Sequence, residues 1–156
     1  MLRLTSEQCR EMDGLLPPAS LAFLGGRGVP EALDFRGVDH VFAISMEPLL
    51  NGKVFRLGSV DHGSYSMGVE RITGHFGYVF SEATQSWRFA NSSVECFLTC
   101  FDASERLWEL EVANQIAWEA RGKFLELEIR RIDPVVLADD ENIWSCLIEE
   151  LHAGVV

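Results

Sequence analysis

Residues 66–80 read Ser66-Met67-Gly68-Val69-Glu70-Arg71-Ile72-Thr73-Gly74-His75-Phe76-Gly77-Tyr78-Val79-Phe80. Two β-prone runs, 66–71 and 77–80, flank Ile72-Thr73-Gly74-His75, a tight connection of the kind that joins neighbouring strands into a hairpin. Apolar and polar residues alternate only imperfectly through Val69-Glu70-Arg71-Ile72, which leaves the register open. Working outward, the segment from Ala32 to Asn91 keeps this character, with further strands expected at 33–35, 41–44, 54–57 and 87–89.

Helical signals lie on either side. Thr5-Ser6-Glu7-Gln8 fits a capping box, in which the cap hydroxyl and the side chain three residues on satisfy each other's backbone N–H groups. Pro18 suits the first turn of a second short helix carrying Leu21, Phe23 and Leu24, which Gly25-Gly26 would end. After the strands, Ser92 with Glu95 makes a second capping box, and Val94, Phe97, Leu98 and Phe101 share one helical face. Residues 107–132 are read as helical, although Leu125, Leu127 and Ile129 alternate with charged residues in a way a strand would also explain. Asp133-Pro134 ends that stretch. A final helix carries Ile143, Trp144, Leu147, Ile148 and Leu151 on one stripe, capped by Asp139 or Asp140 and stopped by Gly154. Strands gathered between terminal helices, without βαβ alternation, predict an α+β fold, and 156 residues suit a single domain over 1–156.

With 47% hydrophobic residues, ten Phe and four Trp, the chain can bury a core without metal or disulfide support. The four cysteines form no C-x-x-C pair and are expected to be buried thiols in a reducing cytoplasm. Met1-Leu2-Arg3-Leu4-Thr5-Ser6-Glu7 lacks the apolar core of a secretory signal, and no run approaches the roughly 20 apolar residues of a membrane-spanning helix. The formal charge of −11 works against binding nucleic acid or an anionic membrane. It serves either solubility or the recognition of a basic protein.

Catalytic patterns fail one after another. Gly25-Gly26-Arg27-Gly28 has no Lys-Ser or Lys-Thr after it and follows a helix, where a phosphate loop should precede one. Ser64-Tyr65-Ser66-Met67-Gly68 misses the first glycine of a nucleophile elbow and leads into a strand instead of a helix. His62 beside Asp61 does not supply a triad. Cys96 and Cys100 share a helical face, but the four histidines offer no H-x-x-x-H spacing to complete a zinc site. No catalytic residue, metal or cofactor is expected.

Several segments, in order, resemble one family. Leu16-Pro17-Pro18, Leu21-Ala22-Phe23-Leu24 and Gly28-Val29-Pro30 are similar to the opening of SUKH-superfamily immunity proteins, most closely the fourth family. Leu57-Gly58, Ile72-Thr73-Gly74-His75-Phe76-Gly77-Tyr78-Val79, Phe89-Ala90-Asn91-Ser92-Ser93-Val94-Glu95-Cys96-Phe97 and Ile132-Asp133-Pro134 continue the likeness. Glu141-Asn142-Ile143-Trp144-Ser145 and Leu147-Ile148-Glu149-Glu150-Leu151 close it, with Ile143 standing where the family carries the first of two tryptophans. The resemblance implies a central mixed, largely antiparallel β-sheet with helices packed at the N- and C-terminal ends. It also implies a cytoplasmic protein that neutralises a cognate toxin of a polymorphic toxin system, often a nuclease or deaminase. Gly58 and Gly74 then read as turn residues, Ser92 as a cap, and Phe97 and Trp144 as core.

Exposed acids on or near the sheet, Asp39, Asp61, Glu70 and Glu82, are the candidate partner contacts. Two other readings stand beside this one. One is an interaction or regulatory module of the same fold without a toxin partner. The other is a small enzyme or metal protein using Cys96, Cys100 or His62.

Overall fold

The computed structural model describes residues 1–35, 37–45, 47–81 and 83–155. Among these the fold is α+β, with seven strands in an antiparallel sheet and helices towards both ends of the chain. Two compact units divide the chain, Met1–Phe89 and Ala90–Val156.

The first unit begins with the expected capping box. The Thr5 hydroxyl accepts from the Gln8 N–H, the Gln8 side chain accepts from the Thr5 N–H, and helix α1 runs Ser6–Glu11. Helix α2, Pro18–Gly26, has proline in its first turn as expected. Its stop differs from expectation. Gly25 and Gly26 remain helical, and the left-handed residue is Gly28 at φ +74°. A Cβ on Gly28 would lie 2.1 Å from the Leu2 carbonyl oxygen, so only glycine lets the chain pair Leu2 with Val29 there.

The sheet follows in the order β1-β2-β4-β5-β6-β7. Strand β1 is Ala32–Phe35, β2 Val38–Phe42, β4 Val54–Val60, β5 Tyr65–Glu70, β6 Phe76–Ser81 and β7 Ser86–Asn91. The two-residue strand β3, Pro48–Leu49, escapes sequence reading because it is too short to show a period. It pairs with the beginning of β4 while β2 pairs with its end, so both occupy the same edge of β4 in succession. Each pair whose register is defined is antiparallel, and β5–β6 is the hairpin expected from residues 66–80.

Gly58 is not a turn residue. It lies inside β4 beside a register shift, where a Cβ would meet the Val41 carbonyl oxygen at 2.1 Å. Its role is to let β2 approach. Gly74 does occupy the β5–β6 turn.

Phe76, Gly77, Tyr78 and Val79 are all buried, whereas the imperfect alternation through residues 69–72 arises because the strand ends at Glu70 and Ile72 is exposed in the turn. Val79 packs with Leu49, Leu50, Val54 and Trp87 on one face of the sheet. Tyr78 points to the other face, where its ring meets His40 and Phe76. A strand covered on both faces reads as a continuous apolar run.

The second unit is helical after the end of β7. Helix α3, Val94–Val112, is capped by Ser93, whose hydroxyl accepts from the Cys96 N–H at 3.0 Å; the expected cap, Ser92, has another task described below. The stretch 107–132 comprises the last turns of α3 and a further helix. Asn114 takes a left-handed φ of 52°, a 3-10 turn covers Trp118–Ala120, and helix α4 begins at Arg121 and ends at Ile132. The guanidinium of Arg121, almost fully buried, lies 3.1 Å from the Trp118 ring centroid and pairs with Glu111 at 2.9 Å. That stack and ion pair fix the bend.

Helix α4 resolves the helix-or-strand ambiguity. Leu125 and Ile129, four apart, are buried on one face, while Leu127 points to solvent. Helix α5, Ile143–Ala153, buries Trp144, Leu147, Ile148 and Leu151, and Gly154 ends it in the left-handed conformation. Its cap is Asn142 and neither Asp139 nor Asp140. No helix among the described residues is long and apolar enough to cross a membrane.

Candidate functional site

Asp39 lies on the exposed side of β2, where antiparallel register sets it opposite Asp34 of β1. Like charges facing each other across a strand pair repel. Asp61 follows the last residue of β4, and its N–H donates to the Asp39 carbonyl at 2.9 Å. Asp61 and His62 both take left-handed φ values, 51° and 53°, ahead of Gly63. Aspartate and histidine tolerate that region better than most side chains. The turn brings His62 Nδ1 to 3.5 Å from the Asp39 carboxylate. Two of the four candidate acids are thus brought together at one end of the sheet.

Aromatic residues gather at the same end. Tyr65, paired across the hairpin with Val60, packs its ring 4.6 Å from that of Phe80 on the face that carries His40 and Tyr78, opposite to that of Asp39, and the Arg88 guanidinium lies over the Phe80 ring at 5.7 Å. Both rings are partly exposed, as is Val41, two residues along from Asp39. Asp34, Tyr65 and Phe80 were not singled out from the sequence. Their places depend on register, which the imperfect alternation through residues 69–72 leaves open.

Glu70 is elsewhere. It pairs with Val54 at the other end of β4, six residues from Val60 and so roughly 20 Å away at strand spacing. Its carboxylate accepts from the Thr73 hydroxyl and its carbonyl from the Gly74 N–H, so it serves the β5–β6 turn. Glu82 lies outside the described residues.

Beneath Asp39 the alternate side chain, His40, points inward. Nδ1 donates to the Val38 carbonyl at 3.0 Å, which leaves Nε2 to accept from the Tyr78 hydroxyl at 3.2 Å. Burial lowers the His40 pKa below 6.5, against the opposing pull of the Val38 carbonyl and of Asp34 and Asp39. The unfolded chain therefore takes up a proton first as pH falls, and stability is lost from about 6.5 downward through the lower folded value. Urea unfolding between pH 7.5 and 5.5 should show this loss, and His40→Gln should flatten it. An equally steep slope in the variant would assign the loss to other groups.

The cysteines of the alternative reading are poor thiolates. Burial pushes the Cys100 thiol up to about 12 and raises that of Cys96. Such thiols are weak nucleophiles and weak metal ligands. Among the described residues no three His, Cys, Asp or Glu side chains are grouped to hold a metal ion. Ser66 lies in strand β5, away from any strand-to-helix turn.

Three of the segments that carry the family resemblance meet in the second unit. Asp133, buried at the end of α4, accepts from the Asn91 amide at 3.0 Å, from the Ser92 N–H at 2.7 Å and from the Ser92 hydroxyl at 2.7 Å. Asn91 Oδ1 accepts from the Trp144 indole at 2.8 Å, and the Asn142 amide donates to the Ala90 carbonyl at 3.0 Å. Three stretches far apart in sequence are joined by one buried hydrogen-bond network. It is a scaffold, with each polar atom satisfied by another.

No curated protein and no solved structure matches the chain. A family model described as SUKH-4 immunity protein matches residues 5–150, and the chain belongs to that family of immunity proteins.

Proposed function

We propose that this protein is the immunity partner of a toxin that attacks nucleic acid, within a polymorphic toxin system, and that it neutralises the toxin by occupying it. The family supports the immunity role. The observation that carries the choice of toxin class is the net charge of −11. A nuclease or nucleic-acid deaminase needs a basic cleft to hold its polyanionic substrate, and an acidic protein fits that cleft by the same electrostatics. Such a toxin acts where nucleic acid is, so the cytoplasm is the place of encounter. The family match spans both compact units and strand β7 runs across their boundary, which supports one functional domain.

Within this reading, Asp39 and Asp61 contribute to the contact, with the exposed Val41 on the same face of the sheet as their apolar neighbour. Rim charges chiefly set the association rate of a protein complex. Asp39→Lys with Asp61→Lys should slow association with the toxin by roughly tenfold at low salt. Both side chains are on the surface, so the loss of unfolding stability should be confined to the left-handed turn at Asp61 and stay at about 1 kcal/mol. Stopped-flow mixing with the purified toxin domain checks this, and an unchanged rate would remove this end of the sheet from the contact. The function itself is tested by co-expressing the chain with the toxin encoded beside its gene. Relief of toxicity and co-purification are expected. Unrelieved toxicity without co-purification would favour an interaction module that has no toxin partner.

A further inference from the structure

The net charge is unevenly held. Residues 1–89 carry ten acidic and eight basic side chains, whereas residues 90–156 carry fourteen and five, nine of the eleven net negative charges. All five basic residues of the second unit are already engaged: Arg106 and Arg131 with Glu128, Lys123 and Arg130 with Glu126, and Arg121 with Glu111. The net negative charge that steers a basic partner is therefore held chiefly by the helical unit.

Helix α3 shows where such a partner would rest. Val94, Phe97 and Phe101 lie on one face and are buried. Two turns on, the same face continues with Trp108 and Val112, which are 59% and 68% exposed. Side chains seven apart on a helix lie on nearly the same bearing, so this is one apolar stripe, covered in its first half and open in its second. Asp102, Glu105 and Glu109 line the open half, all exposed. An exposed tryptophan bordered by carboxylates has the composition of an interface centre with a charged rim.

We infer that Trp108 and Val112, edged by Asp102, Glu105 and Glu109, form a docking surface for a basic protein surface that presents Lys or Arg around an apolar side chain. This inference rests on the proposed function, since it takes the toxin to be that partner. A second copy of the chain does not fit, because association would bring two such acidic units together. Nucleic acid and anionic membranes share the sign of the surface and are excluded with it.

The test uses the full chain and the purified toxin domain encoded beside its gene, with affinity measured by calorimetry. Trp108→Ala should weaken binding by roughly thirtyfold, the scale of an interface hot spot. Glu105→Gln with Glu109→Gln should weaken it less and flatten its salt dependence, whereas Glu149→Gln with Glu150→Gln on α5 should leave both near wild type. Amide exchange over residues 105–112 should slow in the complex, a readout that does not depend on any variant folding. Wild-type binding that none of the α3 changes alters, with no protection of 105–112, would overturn this inference and leave the proposed function standing. Failure of the wild-type chain to bind the toxin would overturn both. A dimer of the chain alone that Trp108→Ala dissolves would assign the surface to a second copy instead.

Discussion

Trp144→Ala is expected to lower the free energy of unfolding by about 4 kcal/mol, the range for removing a large aromatic side chain from a core. Trp144 is fully buried, its ring tilts against Phe97 at 6.1 Å, and its indole N–H donates to Asn91 at 2.8 Å. Truncation opens a cavity and leaves Asn91 Oδ1 without that donor. A domain of this size has about 5–15 kcal/mol in total, so the variant should unfold at a much lower urea concentration with its slope unchanged. Trp144→Phe separates the two contributions. It keeps most of the volume and loses the hydrogen bond, and should cost about 1–2 kcal/mol. Equal losses in both variants would show that the hydrogen bond, and not the volume, dominates.

Asp133→Ala should cost about 3 kcal/mol, although it removes only one small side chain. The carboxylate accepts three hydrogen bonds from Asn91 and Ser92, and its removal strands an amide, a hydroxyl and a backbone N–H, all at least partly buried. Stranded donors cost more than the net worth of the bonds themselves. Asp133→Asn keeps acceptor capacity on one side and should recover part of the loss. A loss below about 1 kcal/mol for Asp133→Ala, seen in the same urea titration, would mean that water replaces the carboxylate without difficulty.

Local signals were legible where the partners lie within a turn or two. The Thr5–Gln8 capping box, Pro18 at the start of α2, the stripe of α5 and the stop at Gly154 each need only a few neighbouring residues. The caps that were misassigned failed for the opposite reason. Ser92 looks like the cap of α3, but its hydroxyl is claimed by Asp133, forty-one residues away, and Ser93 caps instead. Asn142 caps α5 while its amide reaches back to Ala90, a pairing no local pattern announces. The alternation of Leu125, Leu127 and Ile129 suited two periods at once, and packing chose the helical one.

The candidate site was legible in part. Asp39 and Asp61 were singled out as exposed acids near the sheet, and they meet because His40 pairs with Val60. Their meeting depends on register, as do the places of Asp34, Tyr65 and Phe80. Glu70 belongs to a turn, which its position after a strand and before Thr73-Gly74 suggests only in hindsight. The open half of the α3 stripe was hidden because periodicity reports which residues share a face, and not how far the covering extends.

The central claim is that the chain neutralises its toxin by stoichiometric binding. The most direct measurement is a titration of the purified toxin's nucleic-acid-degrading or deaminating activity with the purified chain. Activity should fall linearly and vanish at one equivalent, with full recovery when the complex is dissociated. Loss of toxin activity at a small fraction of an equivalent, or activity unaffected by excess chain, would contradict the account.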